Sequence, residues 1–328
     1  MVTYAAQVAD ALLSNVDKVV RGKRDEIRLA LCCLLTEGHL LLDDVPGTGK
    51  TSLAKAIANS ISGAWTRVQF TPDLLPTDIT GVMVFDQRTS TFNFREGPVF
   101  TNVLIGDEIN RGSPKTQSAL LEVMEERQVT SDGVSRLVPR PFFVIATQNP
   151  QDFQGTFPLP DVQLDRFAMK LTLGYADPET EVSILETFHR HRAGDDLSPV
   201  TDPAELDRAI TEIDGLSVVT SIHEYIVQIA NATRAHPDLR LGVSTRGTLT
   251  MLRIARAYAA TEGRDYVTPD DVKTVSIASR RSSLRCDRRA RLCDTRRHQV
   301  RRGAGVCSPN GAHRRSRVAW REGRDRAR

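Results

Sequence analysis

The chain has 328 residues, of which 40% are hydrophobic and 26% charged, with five cysteines. This is an ordinary globular composition, long enough for two domains of roughly 100–200 residues each. No apolar run approaches the ~20 residues that span a bilayer, and five cysteines in this length make no disulfide framework. The N-terminal segment carries Asp10 and Asp17 among its apolar positions and lacks a signal-peptide core, so a cytoplasmic location is expected.

The net charge of +3 hides two segments of opposite character. Residues 280–328 hold 17 Arg, no Lys and four acids, which leaves 27 bases against 37 acids in residues 1–279. A nucleic-acid reading would therefore rest on the tail alone. The tail has one aromatic residue, Trp320, so base stacking is not supported.

Val8, Leu12, Val16 and Val19 recur at helical spacing and predict an amphipathic first helix, and Arg28 to Leu35 predicts a second. Cys32 and Cys33 fall in that apolar helix and are expected to be buried structural thiols. His39-Leu40-Leu41-Leu42 then reads as a buried strand, with His39 as its first residue. Pro46-Gly47-Thr48-Gly49 breaks the chain, and Ser52 to Ile61 returns to helical periodicity. Further short apolar runs at 67–70, 102–106, 142–147 and 169–173, with helical stretches such as 116–126 between them, predict a mostly parallel sheet with helices on its faces. Residues 81–97 and 127–139 interrupt the alternation and read as inserted hairpins, the second centred on Asp132-Gly133. Beyond Asp177 helical patterns dominate, with Thr268-Pro269-Asp270-Asp271 a well-formed helix start. The expected organisation is a core over 1–194, a small all-α domain over 195–275 and an irregular, Arg-rich tail over 276–328.

Asp44-Val45-Pro46-Gly47-Thr48-Gly49-Lys50-Thr51-Ser52 follows a strand and opens a helix. Glycines there let backbone N–H groups turn toward a polyphosphate, Lys50 can reach its terminal oxygens, and the Thr51 hydroxyl can ligate Mg²⁺. The pattern departs from the strict one at its first position, which is Asp44 and not glycine. Fifty-seven residues after Lys50, a buried strand ends in Asp107-Glu108. Phosphoryl transfer to water needs one carboxylate for the Mg²⁺ shell and a second to orient or deprotonate the water. A lone Asp-Glu at a strand end is more often a solvated terminus; its pairing with the phosphate loop favours the catalytic reading. The next strand ends at Asn149, whose amide can hold the same water. Arg166 precedes the last strand, where a surface pair with Asp165 is the plainer alternative to an arginine finger. Ser244-Thr245-Arg246 starts a helix in the all-α domain and offers a second cation.

Taken in order, these residues resemble an AAA+ ATPase of the MoxR family. The most specific strings are Asp43-Asp44-Val45-Pro46-Gly47, Pro72 to Gly81, Asp107-Glu108-Ile109-Asn110-Arg111, Glu122 to Thr130 and Gln163-Leu164-Asp165-Arg166-Phe167. The likeness runs from about Asp17 to Val272, and an acid at the first loop position is common in that family. It implies an α/β P-loop fold with a helical lid, binding ATP and Mg²⁺. By resemblance Lys50 and Thr51 are Walker A, Asp107 and Glu108 Walker B, Asn149 sensor 1, Arg166 the arginine finger and Arg246 sensor 2. Val20 and Gly22 match the segment that lines the adenine pocket, and the two hairpins match the helix-2 and pre-sensor-1 inserts. The family forms homo-oligomeric rings, often hexamers. Its members act as chaperone-like remodellers that mature partner complexes or insert metal cofactors, and their partners often carry von Willebrand factor A domains. A magnesium-chelatase-like motor subunit shares the inserts and is the alternative enzyme. A transcriptional regulator would need a helix-turn-helix or a structured basic face, and neither is found.

The helical pattern expected of the lid stops near Val275. The following Arg-, Ala-, Gly-, Ser- and Cys-rich segment reads as GC-rich DNA translated out of frame, and Cys293, His298, Cys307 and His313 match no zinc spacing. A shortened lid would leave Arg246 poorly placed, giving a nucleotide-binding regulatory protein with impaired hydrolysis as a further alternative.

Overall fold

The computed structural model describes residues 3–150, 155–187, 197–237, 239 and 241–283. The chain begins with helices α1 (Tyr4–Asp17) and α2 (Arg24–Leu34), then strand β1 (Leu40–Asp43), helix α3 (Lys50–Asn59) and strand β2 (Trp65–Gln69). A short helix α4 (Pro76–Thr80) leads into the hairpin β3 (Gly81–Asp86) and β4 (Thr91–Glu96). Strand β5 (Val103–Asp107), helix α5 (Pro114–Glu126), the hairpin β6 (Gln128–Ser131) and β7 (Val134–Leu137), and strand β8 (Phe143–Gln148) follow. The core closes with α6 (Asp161–Leu164), β9 (Met169–Leu171) and α7 (Pro178–Thr187). Four helices complete the described residues: α8 (Pro203–Asp214), α9 (Thr220–Ala235), α10 (Thr245–Thr261) and α11 (Pro269–Ser283).

Five strands form one parallel sheet in the order β2-β5-β8-β1-β9. The central strands read as unbroken apolar runs because helices cover both faces. Successive strand residues point to opposite faces, and the sheet therefore divides its core in two. Leu40, Leu42, Val103, Ile105, Phe143 and Ile145 join α1, α2, α3 and the C-terminal helices on one side. Leu41, Leu104, Val144 and Ala146 join α5, Phe70 and Leu164 on the other. Full burial of each such Leu or Ile is worth ~1.5–3 kcal/mol.

The C-terminal helices share the first of these cores. Ala255, Ala257, Ala259 and Ala260 of α10 are wholly buried there with Leu12, Leu31 and Val272. Small residues let α10 approach α1 and α2 closely. Residues Met1–Asp287 consequently form one compact unit. Thr268 caps α11 reciprocally with Asp271, whose carboxylate also takes Arg264 Nη1 at 2.7 Å.

Both inserts are antiparallel hairpins, Gly81 facing Glu96 and Gln128 facing Leu137, and Asp132 and Gly133 take positive φ in the second turn. Two expectations need correction. Val19 lies past the end of α1. Helix α11 does not stop near Val275 but runs to Ser283, anchored in the shared core by Val272 and Val275. The expected boundary at 194/195, and Cys293, His298, Cys307 and His313, lie outside the described residues.

His39 is more than a strand's first residue. Its buried ring lies between α5 and the sheet, Nε2–H donating to Met124 O at 3.0 Å and Nδ1 accepting from Val144 N–H at 3.1 Å. One proton satisfies both contacts, so this assignment makes the ring neutral. Burial, aided by the Arg127 cation and opposed by the Met124 carbonyl, brings its pKa from 6.5 down to about 4. The unfolded chain therefore binds a proton below pH 6.5 that the fold does not. His39 contributes stability above that pH and loses it progressively down to pH 4, on the order of 3 kcal/mol in all. Urea unfolding of the wild type and His39→Gln between pH 7 and pH 4 checks this. The variant is expected to be less stable at pH 7 and to show a flatter fall over that range.

Candidate functional site

Strand β1 lies between β8 and β9, and the carboxyl ends of such strands are where open α/β sheets place ligands in a crevice. Four of the predicted elements meet there. The loop of residues 44–49 leaves β1 and turns into α3, with Gly47 at φ +83° and Gly49 at φ +86°, left-handed conformations that favour glycine. Gly49 caps α3, so Lys50, Thr51 and Ser52 form its first turn with free N–H groups suited to an anion. Pro46 lies in this loop, and Thr48 Oγ1 donates to Val45 O at 3.1 Å. Lys50 Nζ folds back onto the carbonyls of Asp44 and Val45. Burial pulls its pKa below the usual lysine range, against the pull of Asp44, Asp43, Glu108 and Asp107.

Asp44 is buried and explains its place in the loop. Its carboxylate accepts from Val45 N at 2.7 Å and from Gly174 N at 2.6 Å, tying the phosphate loop to the segment after β9. That segment and α7 also face the α1–α2 turn, which contains Val20 and Gly22. Arg21 Nη1 donates to Ser183 Oγ at 2.7 Å, Lys23 Nζ donates to Tyr175 O at 3.0 Å, and Gly22 lies against Thr180.

Asp107 ends β5 beside the loop. One of its oxygens accepts from Thr51 Oγ1 and Thr147 Oγ1, both at 3.2 Å, and the other from Arg67 Nε at 2.6 Å. Glu108 sits at φ +55°, ψ +51°, a conformation a non-glycine residue adopts at some cost. It turns the carboxylate out of the strand, where Oε2 takes Gln69 Nε2 at 2.8 Å and Arg111 Nε at 3.1 Å. Asn149 follows β8 between these strands, its carbonyl accepting from Asn110 Nδ2 at 3.2 Å. The sequence analysis gives no role to Arg67, Gln69, Thr147 or Arg111. The first two become visible only once β2 is placed beside β5, with Gln69 opposite Asp107.

Arg166 and Arg246 are not in this crevice. Arg166 precedes β9, at the end of the sheet where Ala168 N–H donates to His39 O. It pairs with Glu125 at 2.9 Å, not with Asp165, and Arg246 joins the same carboxylate. The two arginines and Lys50 thus sit at opposite ends of β1, whose four residues span roughly 13 Å.

The comparisons agree with this architecture. Residues 39–169 match the model of the ATPase family associated with various cellular activities, and residues 231–285 match an AAA lid domain. The chain is 47% identical over 261 residues to YeaC of Bacillus subtilis, a protein uncharacterized by name, covering 80% of this chain and 82% of that one. It is 39% identical over 268 residues to "Chaperone MoxR1" of Mycobacterium tuberculosis, covering 79% and 70%. The chain belongs to the MoxR family of AAA+ ATPases. The crystal structure of a candidate ATPase from Cytophaga hutchinsonii superimposes with a TM-score of 0.79 at 35% identity, covering 87% of this chain and 89% of that one.

For this member of the MoxR family, two substitutions in the crevice test nucleotide binding and turnover separately. Lys50→Ala is expected to abolish nucleotide binding in fluorescence titration with an ATP analogue. Glu108→Gln should keep the affinity within about threefold and lower phosphate release by ~10²-fold or more, the range for a positioned acid or base.

Proposed function

We propose that this AAA+ ATPase binds ATP with Mg²⁺ and hydrolyses it to ADP and phosphate within a homo-oligomeric ring, expected to be hexameric, using turnover to remodel a client protein. The observation that carries the reading is the position of Arg166 and Arg246, which lie across the sheet from the phosphate loop of their own chain. A cation there serves nucleotide only when a second copy presents its loop to that surface.

In the nucleotide site, N–H groups of residues 47–52 bind the phosphates, and Lys50 leaves the Asp44 and Val45 carbonyls for phosphate oxygens. The α1–α2 turn, with Val20 and Gly22, and the segment around Gly174 flank the base. Thr51 Oγ1 and Asp107 are a hydroxyl and a buried carboxylate 3.2 Å apart, a hard-oxygen pair of the kind Mg²⁺ shares with phosphates and water. When bound, Mg²⁺ neutralises developing charge on the phosphates. Glu108, released from Gln69, orients the attacking water and takes its proton, and Asn149 holds the same water. Arg166 and Arg246 of the neighbouring copy stabilise the charge on the transferring phosphoryl group. The division into a core over 1–194 and a lid over 195–275 belongs to this reading.

Client remodelling draws support from the hairpins. Val82, Val84, Phe85 and Phe92 are exposed on one and Val134 and Leu137 on the other, and Arg136 stacks on Phe94 to couple them at 4.1 Å. Metal-cofactor insertion, and a partner with a von Willebrand factor A domain, are the forms of this activity that the family suggests. We place the protein in the cytoplasm. Among the described residues no helix is long and apolar enough to cross a membrane.

Steady-state hydrolysis should rise cooperatively with protein concentration. Arg166→Ala alone should lose ~10³-fold or more, the usual worth of an arginine finger. Mixing it with Glu108→Gln should restore activity, because each variant supplies what the other lacks. Bound nucleotide without turnover at any concentration would leave the nucleotide-binding regulatory alternative.

A further inference from the structure

One carboxylate holds both arginines. Glu125, in the last turn of α5, accepts from Arg166 Nε through Oε2 at 2.9 Å and from Arg246 Nη2 through Oε1. Arg166 belongs to the segment before β9, whereas Arg246 stands in the first turn of α10. A second rung joins the same two segments. Ser244, which caps α10 by accepting from Gly247 N–H at 2.9 Å, donates its hydroxyl proton to Asp165 Oδ2 at 2.8 Å. Asp165-Arg166 and Ser244-Arg246 are thus laced together, with Glu125 as the shared acceptor.

Two features make that acceptor necessary. Adjacent guanidinium groups repel, and a cation in the first turn of a helix opposes the helix dipole. Without a carboxylate, Arg246 would swing into solvent and leave Arg166 unaccompanied. The contacts used also matter. Arg166 bonds through Nε and Arg246 through one terminal nitrogen, so each planar fork has further N–H donors for a phosphate. Glu125 offsets one of the two cations, and Asp165, held on the Ser244 hydroxyl, offsets the other.

We infer that Glu125 is a positioning residue for hydrolysis, yoking Arg166 of the core to Arg246 of α10 so that a ring neighbour's nucleotide meets both cations together. This rests on the proposal that the arginines act between copies.

The test uses the full chain as Glu125→Ala and Glu125→Gln, with ATP hydrolysis measured alone and in mixtures with Glu108→Gln, and affinity measured with a fluorescent ATP analogue. Analogue affinity is expected to stay within about twofold of wild type, because Glu125 is remote from its own phosphate loop. Turnover should fall at least ~10-fold in both variants, since the glutamine keeps the shape but loses the charge that strengthens hydrogen bonds to arginine. Mixing with Glu108→Gln, whose arginines are intact, should restore it. Unchanged or raised turnover overturns the inference, and so does a loss that mixing does not repair, which marks a folding defect or a role in the chain's own site. Should the alanine variant fail to fold, the isosteric glutamine carries the test. The Arg166→Ala mixture is the control. If it is rescued while Glu125 variants behave as wild type, only this assignment fails. If it is not rescued, the reading of action between copies fails, and this assignment with it.

Discussion

Leu40, Leu41 and Leu42 lie buried in a strand with neighbours on both edges and helices on both faces, and the rest of the molecule is arranged about that strand. Its carboxyl end releases the phosphate loop. Its amino end is preceded by His39, which anchors the last turn of α5 and receives the chain returning into β9. Because β1 is rigid and short, what is placed at one end has a fixed distance from what is placed at the other. The nucleotide crevice and the two arginines are held apart by the same residues that stabilise the core.

The helical C-terminal segment takes its position from the same constraint. In a lid that covers its own nucleotide, a helix-start arginine could fold down onto the phosphates. Here α10 is packed through alanines against α1 and α2, in the core shared with one face of the sheet. Its N-terminus therefore emerges beside Glu125, and Arg246 lies with it outside the crevice of its own chain. Helix α11 extends to Ser283, and Arg246 is held by an ion pair and, through Ser244, by the cap of its own helix.

Around the nucleotide crevice polar groups partner Asp107, Glu108 and Lys50. Asp107 is shared among Thr51, Thr147 and Arg67; Glu108 is held by Gln69 and Arg111; Lys50 rests on backbone carbonyls. Under the proposed mechanism Lys50 exchanges its carbonyls for phosphate oxygens and Glu108 exchanges Gln69 for water, so binding replaces satisfied hydrogen bonds with others. Asp44 is the exception. Its bonds to Val45 and Gly174 hold the loop to the neighbouring segment, which accounts for an acid where a glycine is usual.

Much of this was legible in the sequence because it is local. A strand, a glycine loop and a helix start within twelve residues specify an anion site through backbone geometry alone, and alternating apolar runs specify a covered parallel sheet. The hairpins were legible through their turns, and the Thr268 cap through its neighbours. What only the tertiary structure decided is pairing between distant segments. Gln69 reaches Glu108 because β2 lies beside β5, although nearly forty positions separate them. Glu125, Arg166 and Arg246 come from three elements and meet only when α10 has been packed against the core. Periodicity along a chain records which face of an element is buried, not what it is buried against, so the sequence determined the chemistry at each end of the sheet and the fold decided which chemistry shares an end.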